Sequence, residues 1–196
     1  MVSDVVKGSR EKHQKVSKIL ISQPEPASPN SPYFKLIEKY NIEIDFEKFI
    51  QVENVPFKEF RNDKIDILSH GAVIFTSRNA VDNYFRICAE SKVQVPVDMK
   101  YFCVSEQTAH YLQKYITIRK RKLFVGVKTA MDLSEHIKKH SEERFLYPCS
   151  DIRQNSLPNF MRENEIECTE AVLYRTVSSD LSTLKISDYD LIAFFS

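Results

Sequence analysis

Several turns of this 196-residue chain place small hydroxyl side chains directly after short apolar runs. Thr76, Ser77, Arg78 and Asn79 follow AVIF; Ser105, Glu106, Gln107 and Thr108 follow YFCV. Cys149, Ser150, Asp151 and Ile152 follow RFLYP, Arg175 and Thr176 follow AVLY, and Ser196 follows IAFF. A serine or threonine at such a turn can cap the next helix, and a helix start offers free backbone amides to an anion. Capping alone explains any one of these turns. Their repetition along one sheet edge points to a cleft that receives carboxylate or phosphate.

Other chemistries are poorly supplied. The chain has three glycines, Gly8, Gly71 and Gly126, so neither GxGxxG nor a P-loop can be assembled. His136 and His140 stand four apart on a predicted helix, as zinc ligands can, but HIKKH lacks an internal glutamate and a third ligand, which favours a solvated helix face. No serine lies in a GxSxG elbow and no cysteine has an identifiable base, so covalent catalysis lacks support. The first strand ends in Ser22 and Gln23, where a receiver domain needs acidic residues. The run Arg119 to Lys122 reads as a solvated loop that can also steer a polyanion.

The elements that must position these turns follow from periodicity. KILI before Pro24 suits a buried strand. Ser31 and Pro32 make an N-cap and first-turn pair for a helix over YFKLIEKY, ended by Asn41. Ile42, Ile44 and Phe46 alternate with Glu43, Asp45 and Glu47, which marks a strand with one wet face; the alternation slips near Lys48. A helix is expected over FKEFRNDKIDIL. Then strands at AVIF, KYFCVS, KLFVG and RFLYP alternate with helices starting near Asn79, Gln107, Thr129 and Ser156, and Thr169–Val177 supplies another strand. Residues 178–188 read as a short polar helix or turn before a last strand, DLIAFF. This rhythm predicts an α/β fold with doubly wound parallel sheets, whose ligands bind beyond the strands' carboxyl ends.

Composition sets further bounds. Lys plus Arg (28) nearly balances Asp plus Glu (27), so no global field recruits nucleic acid or an anionic membrane. Cys88, Cys103, Cys149 and Cys168 are far apart and sit in apolar runs, as reduced buried thiols do. No apolar run has the roughly 18 residues of a membrane helix. The expectation is a cytoplasmic protein with a flexible arm over residues 1–16.

Five short motifs, in order, resemble the uroporphyrinogen-III synthase family. They are VIFTSRNAV (Val73–Val81), VSEQTA (Val104–Ala109), FLYPCSDIRQNSLP (Phe145–Pro158), AVLYRT (Ala171–Thr176) and IAFFS (Ile192–Ser196). SQPEP, SPYF, VPVDMKYFC and YRTVSSDLS are in the style of the Bacteroidetes-type enzymes. The second motif departs from the family pattern, with Ser105 where a glycine is usual, so backbone approach to a ligand is less close there.

The resemblance implies two α/β domains joined by a two-stranded linker. Domain one would be discontinuous, residues 17–47 and 178–196, and incomplete because the chain stops inside an FFSPSG-like turn; domain two would be residues 48–177. It further implies a monomeric lyase that needs no cofactor or metal. The family's reaction closes hydroxymethylbilane, a linear tetrapyrrole with eight carboxylates, to uroporphyrinogen III, with loss of water and inversion of ring D. On that reading Tyr174 is the candidate general acid, with a core or linker tyrosine as the plainer account. Thr76, Ser77, Arg78, Asn79, Ser105, Thr108, Ser150, Asp151, Ile152 and Ser196 are the candidate substrate-binding residues. Two alternatives stay open: a non-catalytic relative that binds a polycarboxylate, and an unrelated two-domain α/β binding protein.

Overall fold

A computed structural model describes residues 16–195, so Ser196 and nearly all of the 1–16 arm lie outside the described residues. In chain order the elements are β1 (Lys18–Ile21), α1 (Pro32–Tyr40), β2 (Glu43–Phe46), β3 (Ile50–Asn54), α2 (Phe57–Phe60), β4 (Ala72–Phe75) and α3 (Arg78–Glu90). They continue with β5 (Lys100–Cys103), α4 (Glu106–Leu112), β6 (Leu123–Val125), α5 (Ser134–Lys138), β7 (Phe145–Ser150), α6 (Ser156–Glu163), β8 (Cys168–Ser178) and β9 (Leu191–Ala193). The fold is α/β with parallel pairing throughout the recorded ladders. The chain divides into two compact units, residues 1–51 with 178–196, and residues 52–177.

In the first unit β1 lies between β2 and β9, parallel to both. Ser31 caps α1, and Asn41 ends it in the left-handed region at φ 49°, which a short polar side chain tolerates. The slip near Lys48 is a break: residues 47–49 separate β2 from β3.

In the second unit the sheet order is β3-β8-β7-β4-β5-β6. The chain runs from β4 outward to β5 and β6, then crosses back to β7 and β8 on the other side of β4. That reversal puts α3 and α4 on one face and α5 and α6 on the other, the doubly wound arrangement. Alternation within single strands feeds both layers. Val73 and Phe75 pack with Val81, Tyr84, Ile87 and Leu112 on the α3/α4 face. Ala72 and Ile74 pack with Leu133, Ile137, Leu157 and Met161 on the other. All four residues of β4 are fully buried, as a strand covered on both faces requires. Each large side chain so buried stabilises the unit by about 1.5–3 kcal/mol.

Two expectations need correction. FKEFRNDKIDIL is not one helix: α2 gives way to short 3-10 turns at Arg61–Asp63 and Ile67–Ser69. Lys64 adopts a left-handed φ of 53°, and the Asp66 carboxylate accepts from the Leu68 amide at 3.0 Å, a local bond that competes with the helix ladder. The helix over 129–140 is likewise a 3-10 turn, Ala130–Leu133, followed by the short α5. In addition, β7 runs through Ser150, so Cys149 and Ser150 are strand residues rather than turn residues.

A cationic cleft at the strand reversal

The reversal point falls between β4 and β7. Their ladder pairs Ala72 with Phe145 and Val73 with Leu146 and goes no further, so the two strands part toward their carboxyl ends. A cavity of about 430 Å³ opens there. Thr76 and Ser77 reach it from the end of β4, Val104 from β5, Tyr147 and Ser150 from β7, and Tyr174 from β8. Lys128, Thr129 and Ala130 enter from the loop after β6, and Ile152, Arg153, Gln154, Ser156 and Leu157 from the segment after β7.

Tyr174 reaches the cleft because β8 carries a bulge. Cys149 pairs with Val172 but Ser150 pairs with Tyr174, which leaves Leu173 as the extra residue. Leu173 and Tyr174 therefore both pack on the α3/α4 face, where strict alternation would send one of them away. The Tyr174 hydroxyl meets the Ser77 hydroxyl at 3.2 Å. Ser77 Oγ also accepts the Ala80 amide of α3 at 3.1 Å, so the helix cap holds the tyrosine's partner in place. Burial raises the Tyr174 phenol above its usual range, and the Ser77 bond partly opposes this. A second phenol, Tyr147, is pushed up to about 12 by burial, against a hydrogen bond from Thr76. Both phenols therefore keep their protons near neutral pH and can donate them.

No aspartate or glutamate lines the cavity, whereas Lys128 and Arg153 do. Arg153 is fully engaged. Its Nε donates to Glu170 Oε2 at 2.6 Å, a second nitrogen pairs with the same carboxylate, and Nη1 reaches the carbonyls of Ser150 and Asp151 at 3.4 Å. Asp151 fastens the same segment from outside, accepting from the Thr176 amide at 3.0 Å, Ser150 Oγ at 2.8 Å and the Ile152 amide at 2.9 Å. These bonds hold its carboxyl below the usual range, the Thr176 amide foremost. On the opposite wall, Gly126 lets the end of β6 pass close to Val104: an added Cβ would meet the Val104 carbonyl oxygen at 3.0 Å. Asp132 Oδ2 then accepts the Lys128 and Thr129 amides at 2.7 Å each and fixes that loop.

Of the residues expected at the site, Thr76, Ser77, Ser150, Ile152 and Tyr174 share this cleft. Arg78 and Asn79 open α3 beside it and are exposed, and their amides donate to no described residue. Ser105 caps α4 by accepting the Thr108 amide at 3.3 Å, and Thr108 turns its hydroxyl inward to Ser105 at 3.2 Å. Asp151 is spent on the loop. Reasoning from the turns missed Tyr147, Lys128, Thr129, Arg153 and Gln154. In the sequence Arg153 is marked only as the neighbour of the turn at 149–152, and no local signal marks Lys128. Elsewhere, the His136 and His140 rings lie against Phe124, centroids 5.5 and 4.5 Å away, and His140 Nδ1 bonds the His136 carbonyl at 2.9 Å. Among the described residues no cluster of histidine, cysteine or carboxylate could hold a metal, and no helix is long and apolar enough to cross a membrane.

The second unit is a doubly wound α/β unit whose cleft at the reversal point is lined by hydroxyls, two protonated phenols, Lys128 and the paired Arg153, with no carboxylate in its lining. The family model HEM4, uroporphyrinogen-III synthase HemD, matches residues 31–196, and the chain belongs to that family. Its members are the lyases of tetrapyrrole biosynthesis that close hydroxymethylbilane to uroporphyrinogen III. Solved structures agree on the fold. A mutant uroporphyrinogen III synthase from the extreme thermophile Thermus thermophilus matches with a TM-score of 0.64 at 16% identity, over 92% of this chain and 73% of that one. The wild-type enzyme from the same organism matches with 0.56 at 14%, over 91% and 72%. Uroporphyrinogen-III synthetase from Helicobacter pylori 26695 matches with 0.51 at 19%, over 88% and 66%. No curated protein matches the chain.

Proposed function

We propose that the cleft at the β4/β7 reversal binds the carboxylates of hydroxymethylbilane and that Tyr174 donates the proton on which ring closure depends. The observation that carries this reading is the 3.2 Å contact between the Tyr174 and Ser77 hydroxyls inside a cleft without acidic residues. The leaving group is the substrate's terminal hydroxyl. Tyr174 hands its proton to that oxygen as the carbon–oxygen bond breaks, water departs, and the pyrrole nitrogen lone pairs fill the electron deficit. Ser77 Oγ then donates to the phenolate, which burial alone would disfavour. The proton released when the closed ring regains its aromatic pyrroles restores the phenol. Ser77 therefore serves twice, as helix cap and as the phenolate's partner.

Carboxylates bind at Thr76, Ser77, Ser150 and the free amides that begin α3. Arg78, Asn79, Ser105, Thr108, Asp151 and Ile152 belong to the same set as rim or supporting groups, and Ser196, which lies outside the described residues, joins it on the family resemblance alone. Lys128 adds a cation whose ammonium neutralises substrate charge. The protein is further read as a cytoplasmic monomer without affinity for nucleic acid; the balance of 28 basic and 27 acidic residues supports the last of these, and light scattering of the purified protein tests the monomer.

The deciding experiment supplies hydroxymethylbilane freshly made by its upstream synthase, oxidises the products and separates the uroporphyrin isomers. Isomer III from the wild type, with a lower rate for Tyr174→Phe, supports the reading. Spontaneous isomer I alone refutes it.

A further inference from the structure

Arg78 stands out among the cations near the cleft. Arg153 is saturated by Glu170 and two carbonyls, and Arg175 is paired with Glu59. The Arg78 side chain makes no hydrogen bond or ion pair with any described residue, although Asp82 lies one helical turn away on α3. Asp82 is already occupied: the Tyr111 hydroxyl meets its two oxygens at 2.8 and 2.9 Å, and the Tyr115 hydroxyl donates to it as well. The Arg78 guanidinium lies instead over the Tyr111 ring, its central carbon 5.5 Å from the centroid. Lys114 sits over the same ring at 5.3 Å, and Tyr111 meets Tyr115 edge-on at 6.5 Å, Tyr115 in turn being stacked flat on Phe85 with centroids 4.6 Å apart.

We infer that Tyr111, its hydroxyl fixed by Asp82, is a positioning residue that holds the Arg78 guanidinium at the rim of the cleft to receive an outlying carboxylate of the substrate. The inference rests on the synthase reading and deepens it. Two physical effects combine. A phenol that donates to a carboxylate gains electron density in its ring, which strengthens the attraction for a cation over its face. A guanidinium held by a ring keeps its nitrogen–hydrogen fork available, and that fork matches a carboxylate bidentately. Arg78 directly follows Ser77, which lines the cavity, so the held guanidinium is anchored one residue from the wall. A tetrapyrrole with eight carboxylates is larger than a 430 Å³ cavity, so some carboxylates must be met outside it.

Steady-state kinetics and uroporphyrin III binding on the wild type, Arg78→Ala, Tyr111→Leu, Tyr111→Phe and the Arg78→Ala/Tyr111→Leu double variant test this. Tyr111→Leu should raise KM and the uroporphyrin Kd about two- to fivefold with kcat unchanged. Arg78→Ala should raise them at least as much, the double variant no further, and Tyr111→Phe, which keeps the ring but loses the bond to Asp82, should fall between the wild type and Tyr111→Leu. An unchanged KM and Kd in Arg78→Ala, or additive losses in the double variant, overturn the inference. Should Tyr111→Leu not fold, the Arg78 Nε–H resonance of the labelled wild type decides: uroporphyrin III must shift it. Formation of isomer III by the wild type separates failure of this inference from failure of the synthase reading, and without it the Kd comparison still decides.

Discussion

Ser77 and Tyr174, 97 residues apart in the chain, bring their hydroxyls to 3.2 Å because a helix cap and a strand bulge converge on one point of the sheet edge. Tyr174→Phe keeps the buried ring and deletes the proton. It should lower kcat for isomer III by about a hundredfold or more, the usual worth of a positioned acid, with the unfolding temperature nearly unchanged. Ser77→Ala should cost less in rate but about 1 kcal/mol in stability through the lost cap, or roughly 2–4 °C in a chain of this size. The double variant should be no slower than Tyr174→Phe alone. Isomer analysis and thermal unfolding read both effects.

The Arg153–Glu170 pair fastens the segment that forms one wall of the cleft, and each side chain is less than one-third exposed. Removing either partner leaves the other charge half-buried. Arg153→Ala and Glu170→Ala should each cost about 1–3 kcal/mol, and the double variant should be more stable than their sum implies. Hydrogen exchange at residues 151–155 should quicken in all three. Additive losses would show that the pair contributes nothing to the wall.

Tyr84 is fully buried between α3 and the sheet, edge-on to Phe75 at 5.4 Å, and its hydroxyl has no well-aligned hydrogen-bond partner among the described residues, only the weakly bonding Cys88 thiol beside it. Tyr84→Phe removes the orphaned hydroxyl while keeping the ring. It should stabilise the protein by about 1 kcal/mol, or roughly 2–4 °C, in contrast to the usual loss on a core substitution.

Stability should decline at both ends of the pH range. Burial raises the Cys103 and Cys149 thiols from 9.0 to about 12, so between these values the unfolded chain sheds protons that the folded chain keeps. The unfolded state then binds fewer protons, and stability falls as pH rises above 9, by about 1.4 kcal/mol per pH unit for each such thiol. At the acid end burial lowers His70, which bridges the Asp66 carbonyl at 2.8 Å and the Thr169 hydroxyl at 2.9 Å. Below pH 6.5 the unfolded chain gains a proton that the folded one resists, and stability falls as pH falls. Urea unfolding from about pH 5 to 11 should show both limbs. Cys103→Ala should flatten the alkaline one and His70→Gln the acid one.

Local chemistry is legible in the sequence alone. Four apolar residues at 72–75 suit a strand covered on both faces, and Ser31-Pro32 with Asn41 bound α1 to the residue. The strand–helix rhythm declares the α/β class, and the hydroxyl turns mark the sheet edge on which the cleft opens. These signals are short-range: a cap, a turn or an alternating face is written within a few residues. The FKEFRNDKIDIL segment shows their limit, since side-chain bonds from Asp66 outcompete a passable helical pattern.

Partnership across the chain required the tertiary structure. No local pattern tells that β7 lies beside β4, that Leu173 is the extra residue that turns Tyr174 toward Ser77, or that Glu170 consumes the charge of Arg153. Nor does it tell that Asp82 is filled by two tyrosines from α4 and its following turn, which leaves Arg78 its nitrogen–hydrogen donors. Each of these depends on strand order and register, which are set by how two hydrophobic layers pack on one sheet rather than by the preference of any single segment.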